Sequence, residues 1–271
     1  MGAAGIVLCG GKSSRMGRDK AWLPWRGQPM VAHVVSILRP IVDEVVVVAS
    51  DGFELPTLEA RVVRDREPAL GPLAGIREGL EQIDAEFAFV TGTDAPFLSP
   101  AFVKALLSYG CAAAPEIDGY VQTLAAVYPR SASERISAML AEGRARPLRL
   151  LEELDYRRLS ADELPDPQSV RGFNTPSEYL AAVRESEGRP TAMLEFQGRA
   201  RSALGQSERE VPIGTLGDVL APLQPTIEIL EGDVIAHPFS ISLNGHPVGA
   251  STAIPVGPGE RVCVLDATAG D

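Results

Sequence analysis

The sequence predicts an α/β fold: a domain on a mostly parallel sheet, followed by a smaller α+β domain. Three observations carry this. Short continuous apolar runs such as Val45-Val46-Val47-Val48-Ala49 suit strands buried on both faces of a parallel sheet. They alternate with segments whose apolar residues recur at helical spacing, which is the βαβ order. Beyond Glu185 to Pro190, a polar stretch with Gly and Pro, the pattern turns to strands around one short helix.

Taken in order, Ala3 to Leu8 is the first strand, and it runs into the loop Leu8-Cys9-Gly10-Gly11-Lys12-Ser13-Ser14-Arg15-Met16-Gly17-Arg18-Asp19-Lys20. Pro29 to Leu38 has helical spacing and stops at Pro40. Strands follow at Val45 to Ala49 and Arg61 to Val63, the latter closed by Asp65. Gly71-Pro72-Leu73-Ala74-Gly75-Ile76 opens a helix running to about Ile83, and Phe87 to Val90 is a further buried strand. That strand ends at Thr91-Gly92-Thr93-Asp94-Ala95-Pro96, where open α/β sheets collect ligands. Helices are expected at Pro100 to Tyr109 and Ala132 to Glu142, with a pair of strands between Gly119 and Tyr128. Leu148 to Leu154 is apolar-periodic, and Asp162 to Ser169 is a polar connection. Thr175 caps a helix that has Pro176 at its first position and ends near Val183. This gives domains at residues 1–186 and 191–271, with Glu185 to Pro190 as linker. In the second, Met193 to Ala203 reads as a strand and Thr215 to Leu220 as a helix. Further strands are expected at Thr226 to Leu230, Phe239 to Leu243 and Arg261 to Leu265.

Composition excludes several function classes. The net charge of −11 speaks against nucleic acid as a partner, because such binding rests on basic surface. No apolar run approaches a bilayer's thickness and the N-terminus lacks a signal-peptide pattern, so a cytoplasmic protein without a membrane partner is expected. Cys9, Cys111 and Cys263 form neither a disulfide framework nor a metal cluster. Lysine occurs only as Lys12, Lys20 and Lys104, so two of three lie in the opening loop.

An apolar strand feeding a glycine-rich basic loop presents backbone N–H groups and cations to a phosphate. Ordinary polar turns carry similar residues, so the loop alone leaves both readings open. The dinucleotide fingerprint G-x-G-x-x-G is absent, and Gly17 is followed by Arg18-Asp19 rather than the Walker lysine. Nucleotidyl transfer needs positioned charge, and the chain offers it. Asp94 is a hard oxygen donor for Mg²⁺ or else a turn cap, and Arg15 and Lys20 face a triphosphate or else solvent. His33, His237 and His246 are scattered and suggest no nucleophilic catalysis.

The Leu8 to Lys20 loop, Gly71 to Ile76, Thr93-Asp94-Ala95-Pro96-Phe97-Leu98 and Asn174-Thr175-Pro176 occur in that order, and together they resemble the molybdenum cofactor guanylyltransferase family. The resemblance implies a Rossmann-like, three-layer nucleotidyltransferase domain that joins GMP from GTP, with Mg²⁺, to molybdopterin and releases pyrophosphate. It implies GTP and molybdopterin as substrates and other molybdenum cofactor biosynthesis proteins as candidate partners. Arg15, Lys20 and Asp94 would be catalytic, with Asp94 also the metal ligand. Leu8, Cys9, Gly10, Gly11 and Ser13 would meet the nucleotide from the loop, together with Lys20. Ser50, Asp65, Gly71, Pro72, Leu73 and Asp94 would complete that site, and Asn174 would face the pterin.

Some positions depart from the family pattern. Cys9 replaces the usual alanine, Ser50 stands where asparagine is common, and Gly172 stands where Asn or Asp is common, which removes a candidate ligand. Cytidylyltransferase relatives carry alanine at the place of Gly10, so the Gly10-Gly11 pair points to guanine. The tail, including Ile241-Ser242-Leu243-Asn244-Gly245 and Pro258 to Leu265, resembles β-grasp (ubiquitin-like) sulfur carriers such as the small subunit of molybdopterin synthase. Those end in Gly-Gly, whereas this chain ends in Ala269-Gly270-Asp271. Two other readings stay open: a cytidylyl- or other nucleotidyltransferase of the same fold, and a non-catalytic scaffold or sulfur carrier acting through the β-grasp domain.

Overall fold

The computed structural model describes residues 2–10 and 15–266, in two compact units. The first takes in residues 2–10, Lys20–Trp22 and Pro29–Gly172; the second takes in residues 15–19, Leu23–Gln28 and 173–266.

The first unit is a three-layer α/β structure. Its strands are β1 (Ala3–Cys9), β2 (Glu44–Ser50), β3 (Arg61–Asp65), β4 (Phe87–Gly92), β5 (Ala113–Ile117), β6 (Tyr120–Val121), β7 (Ala125–Pro129) and β8 (Arg157–Ser160). They lie in the order β8-β5-β7-β4-β1-β2-β3, with β6 paired to β5. β1 pairs in parallel with both β2 and β4, and β2 with β3. Only β7 and the short β6 run against the rest.

Period-two alternation sorts the strand side chains between two cores. Val7, Cys9, Val45, Val47 and Phe89 pack with helices α1 (Met30–Leu38) and α3 (Pro100–Leu107). Ile6, Val46, Val48, Ala88 and Val90 point the other way. They meet α2 (Pro72–Glu81), α4 (Ala132–Ala141) and α5 (Pro147–Glu153). Sequences apolar at consecutive positions, as at Val45 to Ala49 within β2, are those of strands covered on both faces.

The second unit contains α6 (Pro176–Glu187) and a mixed five-stranded sheet. The sheet's strands are β9 (Thr191–Phe196), β10 (Glu208–Pro212), β11 (Phe239–Leu243), β12 (His246–Pro247) and β13 (Arg261–Asp266), ordered β10-β9-β13-β11-β12. β9 and β13 are parallel and the other pairs antiparallel. Helices α7 (Gly198–Leu204) and α8 (Leu216–Leu220) supply Ala200, Leu216, Val219 and Leu220 to its core. Thr175 accepts from the Glu178 N–H, and Glu178 returns a carboxylate to the Thr175 N–H, closing a capping box on α6.

Four sequence expectations need correction. Met193 to Ala203 is not one strand: β9 ends at Phe196 and α7 begins at Gly198. The alternation across that boundary comes from a short helix that buries Ala200. Thr226 to Ile229 forms no ladder, and only Leu230–Glu231 pairs there. Helix α6 continues to Glu187, through the start of the expected linker. Strands β5, β8 and β10 were not expected: β8 and β10, Arg-Arg-Leu-Ser and Glu-Arg-Glu-Val-Pro, each lie at the end of a sheet, where one apolar side chain suffices, and β5, Ala-Ala-Pro-Glu-Ile, carries a proline and no β-branched residue before Ile117.

Candidate active site

Strand order fixes where a ligand can sit in the first unit. From β1 the chain moves to β2 and β3 on one side, then crosses to β4 on the other. That reversal opens a crevice beyond the carboxyl ends of β1 and β4, the expected ligand position in an open α/β sheet. The register aligns Leu8 with Gly92, Cys9 with Ala49 and Ser50 with Asp65. Leu8, Cys9, Gly10, Ser50, Asp65 and Asp94 therefore all stand along one sheet edge, although they come from four strands.

At the β4 end, the Lys20 ammonium donates to Asp94 Oδ2 at 2.6 Å. Lys20 lies on a 3₁₀ turn, Lys20–Trp22, whose Ala21 is buried in the α1 core, so the lysine has a fixed root. The Asp94 carboxylate folds back over Gly92, where a Cβ would stand 2.7 Å from Asp94 Oδ1. The pair is partly exposed, at 16% for Lys20 and 36% for Asp94, and is open to a ligand. One such carboxylate suits Mg²⁺, which takes one or two protein oxygens and otherwise keeps water and substrate phosphates. Among the described residues no group of three His, Cys, Asp or Glu could hold a metal ion alone. The donor set fits an ion that arrives with its nucleotide.

The other end is built around Asp65, 9% exposed. Burial pushes its carboxyl above the ordinary carboxylate value; the Glu67 N–H, donating to Oδ1 at 2.9 Å, pulls against this, and the buried Glu78 carboxylate adds to the rise. Such a carboxyl gains from any further N–H or O–H donor. Gly75 of α2 approaches Leu8 and Asp65 closely, a Cβ there meeting Leu8 Cδ2 at 3.2 Å. Gly71 has φ +79°, a left-handed value that glycine adopts at no steric cost, and Pro72 starts α2 behind it. Gly10 presses on Ser50, where a Cβ would stand 2.7 Å from Ser50 Oγ.

Two of the expected side chains in the first unit point away from the edge. Cys9 and Leu73 are packed in the two cores, so only their backbones face a ligand. Arg15 is exposed and belongs to the second unit, as does Asn174, whose backbone N–H donates to Glu178 Oε2 at 2.6 Å. Gly11 and Ser13 lie outside the described residues.

Several supporting residues escaped sequence reasoning because their partners are far along the chain. His33 Nε2 lies 3.0 Å from the Pro96 carbonyl, fastening the turn after Asp94 to α1. Arg64 donates to the Ser50 and Phe53 carbonyls and holds the end of β2. Ser169, buried, accepts the Ser99 N–H at 3.2 Å, and the Arg171 guanidinium lies 4.5 Å over the Phe97 ring. These contacts bring Gly172 against Asp94, where a Cβ would stand 2.6 Å from the Asp94 carbonyl oxygen. The sequence suggests a lost polar ligand at Gly172; the geometry supplies a steric reason for glycine.

Comparison with known proteins places this site in context. The family model described as a MobA-like NTP transferase domain matches residues 5–158. A probable molybdenum cofactor guanylyltransferase of Mycobacterium ulcerans is 35% identical over 190 residues, covering 67% of this chain and 93% of its own. One of Mycobacterium avium is 36% identical over 193 residues, covering 68% and 96%. Among solved structures, the molybdopterin-guanine dinucleotide biosynthesis protein A of Archaeoglobus fulgidus superposes with TM-score 0.58 at 24% identity, over 68% of this chain and 98% of its own. The 2-C-methyl-D-erythritol 4-phosphate cytidylyltransferase of Thermus thermophilus gives 0.55 at 18%, over 69% and 99%. These two structures share the fold.

Proposed function

The chain belongs to the molybdenum cofactor guanylyltransferase family of MobA-like NTP transferases, and from that premise we propose that it transfers GMP from GTP to molybdopterin. The observation that carries this reading is the Lys20–Asp94 pair at the carboxyl edge, beside the strand that delivers the glycine-rich loop. In the reaction an oxygen of the molybdopterin phosphate attacks the α-phosphorus of GTP. The new P–O bond forms as the bond from the α-phosphorus to the β-phosphate oxygen breaks, and pyrophosphate leaves with the electron pair.

Asp94 would hold Mg²⁺, which supplies charge neutralisation on the phosphates when bound. Lys20, held by Asp94 in the free protein, turns its ammonium to the α-phosphate and the leaving group, and Arg15 adds a second cation. Positioned charge of this kind is the main lever in phosphoryl chemistry. Leu8, Gly10, Ser50, Asp65 and the Gly71-Pro72 turn hold the nucleoside. Gly10, with no side chain, lets the loop backbone lie directly against Ser50 beside the base, and Asn174 serves the pterin.

The test is turnover of purified protein with GTP and with CTP, beside Asp94→Ala. The proposal expects GMP transfer from GTP in the natural chain and its loss in the variant, with the melting temperature kept. Transfer from CTP alone, or full activity in the variant, defeats it.

We also propose that residues 191–271 form a β-grasp domain of the sulfur-carrier kind. Support comes from the strand order β10-β9-β13-β11-β12, with the first and last strands parallel at its centre. Gly270 and Asp271 lie outside the described residues. Intact-mass spectrometry after incubation with ATP and a carrier-activating enzyme would reveal a product trimmed to Gly270 and thiocarboxylated; an unaltered mass removes the carrier reading.

A further inference from the structure

Helix α2 buries a carboxylate that its packing does not call for. Glu78 is 2% exposed, and the other buried residues of α2 are apolar or glycine. An apolar side chain would fill such a place without the cost of stripping water from a charge. Glu78 instead holds Arg77. Arg77 Nη2 donates to Glu78 Oε1 at 2.8 Å and to Glu67 Oε2 at 2.7 Å, so one guanidinium nitrogen spans two carboxylates. Glu67 in turn donates its backbone N–H to Asp65 Oδ1 at 2.9 Å, and its carbonyl accepts from the Leu70 N–H at 2.9 Å, which fixes the turn on its other side. The chain from Glu78 through Arg77 and Glu67 to Asp65 thus runs from the helix interior to the carboxyl edge, wholly within the first unit. Charge links the same two ends. Among the described residues nothing hydrogen-bonds to Glu78 Oε2, and Arg66 Nε stands 3.7 Å from it. Burial raises the Asp65 carboxyl, the Glu67 N–H lowers it, and the Glu78 charge adds to the rise, so the two carboxylates feel one another.

We propose that Glu78 is a positioning residue for the nucleoside: through Arg77 and Glu67 it fixes the Asp65 carboxylate that receives GTP. This rests on the nucleotidyltransferase reading above, in which Asp65 holds the nucleoside. With Oδ1 engaged by the Glu67 N–H, the remaining acceptor is Oδ2, which lies beside Gly75, where a Cβ would stand 3.9 Å away. A nucleoside N–H or O–H meets that oxygen. Order already present in the free protein need not be drawn from binding energy. Asp65 grips the nucleoside alike before and during transfer, so Glu78 acts on binding rather than on the chemical step.

The experiment is calorimetric titration of the full-length protein with GTP and Mg²⁺, without pterin, alongside melting curves and turnover. Glu78→Gln keeps the shape and removes the charge; Glu67→Ala cuts the same chain at an exposed side chain. Each should weaken GTP binding about tenfold, the weight of one hydrogen bond to a charged group. KM for GTP should rise in step while kcat stays within about twofold. In an Asp65→Asn background, where the grip is already lost, either substitution should add less than about twofold, because residues on one path do not act independently. A general loss of stability would add in full. If Glu78→Gln does not fold, Glu67→Ala carries the test. Unchanged affinity in the folded variants overturns the proposal, as does the same tenfold loss in the Asp65→Asn background. Natural protein that binds no GTP refutes the nucleotidyltransferase reading, and an Asp65→Asn protein that binds it as tightly as the natural chain removes Asp65, and Glu78 with it, from the site.

Discussion

Gly172→Ala separates a steric from a chemical account of the site. An added Cβ would lie 2.6 Å from the Asp94 carbonyl oxygen. Carbon–oxygen contacts begin near 3.3 Å, so the two backbones must part by about 0.7 Å. The Ser169–Ser99 bond and the Arg171–Phe97 stack leave the glycine segment little room to retreat, and much of the shift falls on Asp94. Overpacking of this kind costs about 1–3 kcal/mol. For a domain of this size each kcal/mol lowers Tm by about 2–4 °C. Displacing Asp94 by most of an ångström from Lys20 should lower kcat for GMP transfer about tenfold to a hundredfold. Scanning calorimetry and steady-state turnover with GTP read both quantities. Gly172→Asn is the companion, since it supplies the polar group that the family resemblance leads one to expect there and adds the same Cβ. A Gly172→Ala protein with natural Tm and kcat, or a Gly172→Asn protein more active than the natural chain, would refute the steric argument.

Two further outcomes follow from the nucleotide end. Asp65 binds its proton more tightly in the folded protein than in the unfolded chain, because burial raises its pKa. Its contribution is fully favourable below the unfolded value of about 3.9 and is lost as pH rises through the folded one. Asp65→Asn should therefore melt at or above the natural protein at pH 7, the gap closing as pH falls toward 4, while GTP binding weakens; a large drop in Tm at pH 7 would contradict this. Gly10→Ala should keep the fold, because Ser50 Oγ can rotate away from the new methyl group. Its GTP-to-CTP turnover ratio should fall about tenfold, the usual weight of one methyl group in a pocket, and an unchanged ratio would detach Gly10 from base choice.

What the sequence makes legible here is local. Val45 to Ala49 announces a strand covered on both faces, Gly71-Pro72 a helix start, and Thr175-Pro176 with Glu178 a capped one; each is written within a few residues. The position of Asp94 at a strand's carboxyl end was equally readable, because the apolar run Phe87 to Val90 stops just before it. What holds these pieces is written in pairs far apart. Nothing near His33 names Pro96, and nothing near Ser99 names Ser169. The charged strands β8 and β10 hide for a related reason: at a sheet's end, pairing geometry decides their state more than apolar content.

The strand order also bears on how such a site can diverge. Ser50 and Asp65 lie to one side of β1 and Asp94 to the other, and separate anchors hold the two flanks: Arg64 the first, His33 the second. A substitution on β2 or β3 can reshape what the edge recognises without disturbing the Lys20–Asp94 pair, since no side chain is shared between those anchors. For the proposed reaction, the sheet would thus keep base selection and charge handling on separate flanks, so that a lineage could explore new bases while the other half stays constant.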